Sequence, residues 1–140
     1  MNVIDTSTDF GLRVSGELET EQIVWLTTVR SDGTPQPSPV WFLWTGGDVL
    51  VLSQPGKPKL RNVAANPRVA LNFNSDHGGH RVTTLSGIAR LEDAAPTEAE
   101  LAAYTAKYRE AIEALGYTAD QFLAAYSVPF RVTPDKLRGF

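Results

Sequence analysis

The residues most able to do chemistry sit in one short run, Ser53-Gln54-Pro55-Gly56-Lys57-Pro58-Lys59-Leu60-Arg61-Asn62. An apolar strand ends there, Pro and Gly make a turn, and a helix begins with Pro58 at a position that favours proline. Lys57 and Lys59 crowd that helix start, where the positive end of the peptide dipoles disfavours cations. Two ammonium groups, free backbone N–H groups and Arg61 in one place are what a phosphate or carboxylate needs. A solvated basic turn with no ligand accounts for the bare pattern equally well.

Other reactive types are sparse. His77 and His80 flank Gly78-Gly79 beside Asp76, but no third ligand at metal-site spacing stands out, so a polar turn is expected and no metal. Trp25, Trp41 and Trp44 suit stacking on a ring system, although packing in a core or interface is the usual role of such residues. No serine–histidine–acid set and no phosphate-binding P-loop occurs, so hydrolysis and nucleotide-driven phosphoryl transfer have no support. No side chain is singled out as catalytic.

These residues need a frame, and the sequence predicts a β-rich one. Residues 23–30 alternate as a strand, followed by turn chemistry at Ser31-Asp32-Gly33-Thr34-Pro35. Strands are expected over 36–45 and 49–54, a helix over 59–66 burying Leu60, Val63 and Ala64, and further strands over 68–74 and 80–91. One long helix is expected over 96–115, opened by a Thr97/Glu100 capping box, then a short helix over 118–127 and a last strand over 128–132 that 137–140 extend. Residues 1–16 are expected to be a loosely held lead-in, with a short helix over 17–22. Val40-Trp41-Phe42-Leu43-Trp44 and Val49-Leu50-Val51-Leu52 are apolar on both faces, unlike a sheet with one wet face. A closed barrel covered outside by helices or a second subunit is therefore predicted.

The bulk composition narrows the class. The 140 residues fit a single domain able to bury a genuine core. The absence of cysteine excludes disulfides, thiolate metal sites and cysteine nucleophiles. A net charge of -3 gives no sign of a nucleic-acid or membrane-surface partner. The polar first residues contain no apolar run, so neither a signal peptide nor a membrane span is expected there and the cytoplasm is the default location.

The run Lys59-Leu60-Arg61-Asn62-Val63, followed by Asn66-Pro67-Arg68-Val69-Ala70-Leu71, resembles the K-x-R-N-(L/V)…NPR(V/A) signature of the pyridoxamine 5′-phosphate oxidase-like superfamily. Asp32-Gly33-Thr34-Pro35 leading to Pro39-Val40-Trp41-Phe42, and Ser86-Gly87-Ile88-Ala89-Arg90-Leu91, are similar to its other strands, in the expected order. The resemblance spans residues 18–140. The short chain looks most like the F420-dependent reductases of actinobacteria within that superfamily. This implies a split β-barrel of β-rich α+β class with peripheral helices, assembled as a homodimer with cofactor sites at the interface. It implies that Lys57 and Lys59 hold the cofactor's phosphate or acidic tail; Arg61 and Asn62 match the same motif, though Asn62 could equally position the helix, and Ser53 and Gln54 are expected to bind the cofactor beside them. Ser38, Pro39, Val40 and Trp41 are expected to line the cofactor ring, and His80 or Arg81 to approach a substrate or the partner's cofactor. Relatives often carry arginine where this chain has Lys57, so bidentate phosphate binding is lost there. The expected function is an F420H2-dependent reductase acting on a small electrophilic substrate. The alternatives are an FMN-dependent oxidoreductase of the same fold and a non-catalytic F420, flavin or tetrapyrrole binder.

Overall fold

The computed structural model describes residues 3–140. Strand β1 (Val24–Val29) buries Val24, Leu26 and Thr28 and leaves Trp25, Thr27 and Val29 partly exposed, the alternation its sequence predicts. It pairs antiparallel with β2 (Pro35–Val40), in which Pro35, Pro37 and Pro39 stand opposite Val29, Thr27 and Trp25. Proline has no N–H to give a ladder, so these three positions must turn their ring nitrogens away from β1. The outer edge of β2 is thereby stripped of donors at every residue that faces it, and no further strand can pair there.

That edge decides the architecture. Strands β3 (Leu43–Trp44), β4 (Val49–Ser53), β5 (Arg68–Asn72), β6 (Thr83–Leu91) and β7 (Val128–Gly139) complete one antiparallel sheet in the order β2-β1-β5-β6-β7-β4-β3. The two edge strands, β2 and β3, are separated in the chain only by Trp41 and Phe42. The sheet must therefore curl until its edges meet, yet no ladder joins them. The result is a barrel split along one seam, not the closed barrel that two-sided burial suggested. The strand expected over 36–45 breaks at this seam. There the Tyr108 hydroxyl accepts from the Phe42 N–H at 2.9 Å, and the Phe42 carbonyl accepts from Lys107 Nζ at 2.9 Å.

Two apolar clusters explain the double-faced strands. Inside the curl, Leu26, Phe42, Val49, Val51, Leu71, Leu85 and Phe130 pack together. On the outer face, Leu50 and Leu52 pack against Tyr104, Tyr108, Ile112 and Phe122. The cover is supplied by α3 (Glu98–Lys107), α4 (Arg109–Ala114) and α5 (Ala119–Ala125), so β4 is buried at all five positions within one chain. At roughly 1.5–3 kcal/mol for each fully buried large apolar side chain, this helical cover is a major part of the fold's stability.

Several expectations need correction. Residues 9–20, most of which were expected to be loose, form helix α1 (Asp9–Thr20), capped by the Thr8 hydroxyl on the Gly11 N–H, with Val14 and Leu18 in the inner cluster. The helix expected over 17–22 is its last turn and the residues just beyond; residues 1 and 2 lie outside the described residues. The single helix expected over 96–115 is two helices, broken at Tyr108 (φ -108°, ψ 17°), whose hydroxyl is drawn to Gln22 and Phe42. Its capping box is present as read. The strand at 128–132 continues without interruption to Gly139, with an irregularity opposite Ser86 and Gly87. A side chain at Gly87 would place its Cβ 2.3 Å from the Thr133 carbonyl oxygen, so only glycine allows this crossing.

Candidate functional site

The seam leaves a gap that the helices frame. Strand β3 pairs only with Val49 and Leu50, so from Val51 to Gln54 the free side of β4 looks across the seam toward β2. A cleft of about 330 Å³ occupies that gap. Pro39, Val40 and Trp41 form one wall, Val51, Leu52, Ser53 and Gln54 another, and Tyr104, Leu115, Phe122 and Tyr126 of the helical cover a third. Lys57 and Lys59 line it too, where it adjoins a second cavity that shares both. The volume lies near the lower limit for small-molecule sites, about 300 Å³.

The aromatic wall is held in place by stacking. Trp41 lies flat on Tyr108, with ring centres 4.4 Å apart and planes within 2°, and Phe122 stacks on Tyr126 at 4.5 Å. Tyr108 is itself fixed by a hydrogen bond from its hydroxyl to the Gln22 carbonyl at 2.8 Å. The Tyr104 hydroxyl is buried on this wall without a well-formed hydrogen bond, although it leans toward the Leu52 backbone. Burial pushes its ionisation well above the usual phenol range, so it stays neutral.

The cationic end follows from local sequence. Helix α2 (Pro58–Ala65) starts with Pro58 in its first turn; Lys57 occupies the cap position without capping through its side chain, and no acid sits in the first turn. Lys59 is half-buried and Lys57 exposed. Neither ammonium has an acidic partner or a side-chain hydrogen bond among the described residues. Burial first, and repulsion from Lys57 second, lower the Lys59 pKa from its ordinary value. A half-buried cation without a counter-charge beside an open helix start favours an anion.

Eight of the sequence-predicted site residues converge here. Pro39, Val40, Trp41, Ser53, Gln54, Lys57 and Lys59 line the main cleft, and Ser38 lines an adjoining one of about 210 Å³ that shares both lysines. Asn62 does not join them. It is buried and donates to Thr28 Oγ1 at 2.9 Å and Gln36 Oε1 at 2.8 Å, which pins α2 to β1 and β2. It is buried beside Val63, while Ala64, expected on that side, is exposed. Arg61 lines a separate groove with Arg30 and Gln36. His80 and Arg81 lie on the exposed loop between β5 and β6, where the Asp76 carboxylate accepts from both backbone N–H groups, and neither lines the cleft of its own chain. The sequence reading missed Tyr104, Leu115, Phe122 and Tyr126. The Phe122/Tyr126 spacing of four residues on a short helix was the available signal.

Comparisons with known proteins bear on the family and the fold. None of the curated proteins matches the chain significantly. Among solved structures, an F420 reductase is 27% identical, with a TM-score of 0.64 over 89% of this chain and 94% of that one. The heme storage protein HutZ of Vibrio cholerae is 19% identical, with a TM-score of 0.70 over 94% of this chain and 95% of that one. An FAD-binding protein of Mesorhizobium loti is 21% identical, with a TM-score of 0.64 over 91% of each chain. Both of these share the fold. The pyridoxamine 5′-phosphate oxidase family matches residues 13–139, which contain the seam, the cleft and both lysines, and the chain belongs to that family.

Proposed function

We propose that the protein is a cytoplasmic F420H2-dependent reductase, acting as a homodimer on a conjugated, electrophilic small molecule. The observation that carries this reading is the half-buried, unpaired Lys59 beside Lys57, lining an aromatic-walled cleft. The 27% identity to an F420 reductase supports the deazaflavin over other ligands of the fold. The bound cofactor would supply a hydride to the electrophilic carbon and water the proton that completes the reduction, so no side-chain acid–base pair is required.

The residues present fit such a group. Lys59 and Lys57 would hold its anionic part, and Pro39 and Trp41 with Phe122 and Tyr126 offer apolar area for its ring. The carbonyls of Pro37 and Pro39, on the donor-free edge of β2, offer acceptors toward the seam. Neither histidine lines the cleft, so a haem iron there would have no imidazole from the same chain. No helix among the described residues is long and apolar enough to cross a membrane. The homodimer reading is supported by the cleft's small size for a flavin-like ligand and by Leu115, 55% exposed at its wall.

The test is turnover. Purified protein mixed anaerobically with reduced F420 and a panel of conjugated enones and quinones is expected to return oxidised deazaflavin, read by its absorbance. Turnover with reduced FMN and none with reduced F420 would move the protein to the flavin-dependent alternative.

A further inference from the structure

Trp41 and Phe42 join the edge strands β2 and β3, and neither belongs to a ladder. Phe42 is fully buried, so both of its backbone groups need partners. Two adjacent side chains from the break between α3 and α4 supply them. The Tyr108 hydroxyl accepts from the Phe42 N–H at 2.9 Å, and its own hydrogen is shared between the Gln22 and Phe42 carbonyls, at 2.8 and 3.1 Å. Lys107 Nζ donates to the same Phe42 carbonyl at 2.9 Å and lies 3.6 Å from the centre of the Phe42 ring. One ammonium thus grips the backbone and the ring of the residue that turns the corner of the seam. The preceding residue, Trp41, lies flat on Tyr108 and forms a wall of the cleft.

Stability alone does not account for a lysine there. Lys107 is half-buried and has no ion pair among the described residues; Glu19 and Glu21, at the end of α1, attract it only at longer range. Tyr108 beside it is kept neutral by burial. Arg109 and Glu110 of α4 share with Lys107 and Gln22 an open hollow of about 430 Å³, distinct from the cleft. An apolar side chain of similar length would fill the same space without desolvating a charge.

We infer that Lys107 is a positioning residue for the cleft: its ammonium ties Phe42 across the seam and so fixes the Trp41 wall against which the cofactor ring lies. This rests on the cofactor reading above for what the wall receives, and on the seam geometry for the tie itself. A charged donor makes a stronger hydrogen bond than a neutral one, and only the charged form is held by the ring face. Burial lowers the Lys107 pKa from 10.5 to about 8, so the tie is present at neutral pH and released in mildly alkaline solution.

The experiment compares wild type, Lys107→Met and Lys107→Arg by fluorescence titration with F420 at about pH 7 and about pH 9, with thermal melts and the tryptophan emission of the apo proteins. At the lower pH, Lys107→Met is expected to bind about fivefold more weakly than wild type, the scale of one cation–ring contact, and Lys107→Arg within about twofold of it. At the higher pH, wild type is expected to fall to the level of Lys107→Met while Lys107→Arg keeps its affinity. Lys107→Met is expected to melt no lower than wild type, because the Phe42 carbonyl keeps the Tyr108 hydroxyl and a desolvated charge is gone. Wild-type emission is expected to change between the two pH values, and Lys107→Met and Trp41→Phe to lack that change. Wild-type affinity of Lys107→Met at the lower pH, or a deficit equal at both, would overturn the inference, as would an emission change that Lys107→Met or Trp41→Phe retains. If wild type did not bind F420, the cofactor reading would fall, and the emission of the apo proteins would decide the tie by itself.

Discussion

Replacing Lys59 with methionine removes the ammonium and keeps most of the stem, so the half-buried part of the side chain still packs. The structure gives the substitution two opposite consequences. Without ligand, the charge is partly desolvated, repelled by Lys57 and unpaired, so its removal is expected to leave apo stability level or raise it slightly. With cofactor, the variant loses one charge-assisted hydrogen bond, worth about 1.5–3 kcal/mol, which corresponds to roughly a 10- to 150-fold rise in Kd. The same change at Lys57 is expected to cost less, because Lys57 is exposed and must be ordered from solvent. Cofactor affinity of the wild type should fall as salt is added, and less steeply in the Lys59→Met variant. The assay is a pair of fluorescence titrations at low and high salt, with thermal melts of the apo proteins. Unchanged affinity would refute a ligand role for Lys59, and a clear loss of apo stability would show that its ammonium is structural.

Three further outcomes follow from other parts of the molecule. Hydrogen bonds from Arg131, at 2.7 Å to both carboxylate oxygens, are the leading cause that lowers the Glu100 pKa from 4.5 to about 2. Its folded-state pKa is below the unfolded one, so this stability is present above pH 4.5 and lost between about 4.5 and 2. Glu100→Gln is expected to cost about 1–2 kcal/mol at neutral pH, after allowance for solvent screening, and to flatten the acid limb of a denaturation series. A limb as steep as wild type would contradict the pairing. Burial lowers the Lys107 pKa from 10.5 to about 8, against the opposing pull of Glu19 and Glu21. The unfolded chain then holds more protons between those values, so stability attributable to Lys107 should rise with pH across that window, and Lys107→Met should abolish the slope. Tyr104→Phe removes a buried hydroxyl that lacks a good partner, so the apo melting temperature should stay level or rise; a marked fall would mean that the contact with the Leu52 backbone is a real hydrogen bond.

The fold was legible where local chemistry and global packing agree. The turn at Asp32-Gly33, the alternation of β1, the start of α2 at Pro58 and the Thr97 capping box are set by nearest neighbours, and each is observed. Helix α1 was hidden because Gly11 and Gly16 each weaken a helix by about 1 kcal/mol. Gly11 is required by the turn that leads into α1, since a Cβ would meet the Asp5 carbonyl oxygen at 1.9 Å. The break at Tyr108 was equally invisible, because it is imposed by a hydroxyl reaching Gln22 and Phe42 across 86 and 66 residues of chain. At the site, Lys57 and Lys59 stood out as misplaced charges at a helix start, whereas the aromatic wall from α3 and α5 meets them only after the sheet has curled. Arg61 stands two residues from Lys59 in sequence but lines a different cavity, and Asn62 proved to be an anchor for α2.

The most direct test of the deazaflavin assignment is equilibrium titration of the wild-type protein with F420 and with FMN under one buffer and salt condition, followed by fluorescence. The account predicts saturable binding of both, with F420 the tighter by about tenfold, and roughly 10- to 150-fold weaker binding in the Lys59→Met variant. Equal or tighter binding of FMN, or F420 binding that Lys59→Met leaves intact, would contradict it.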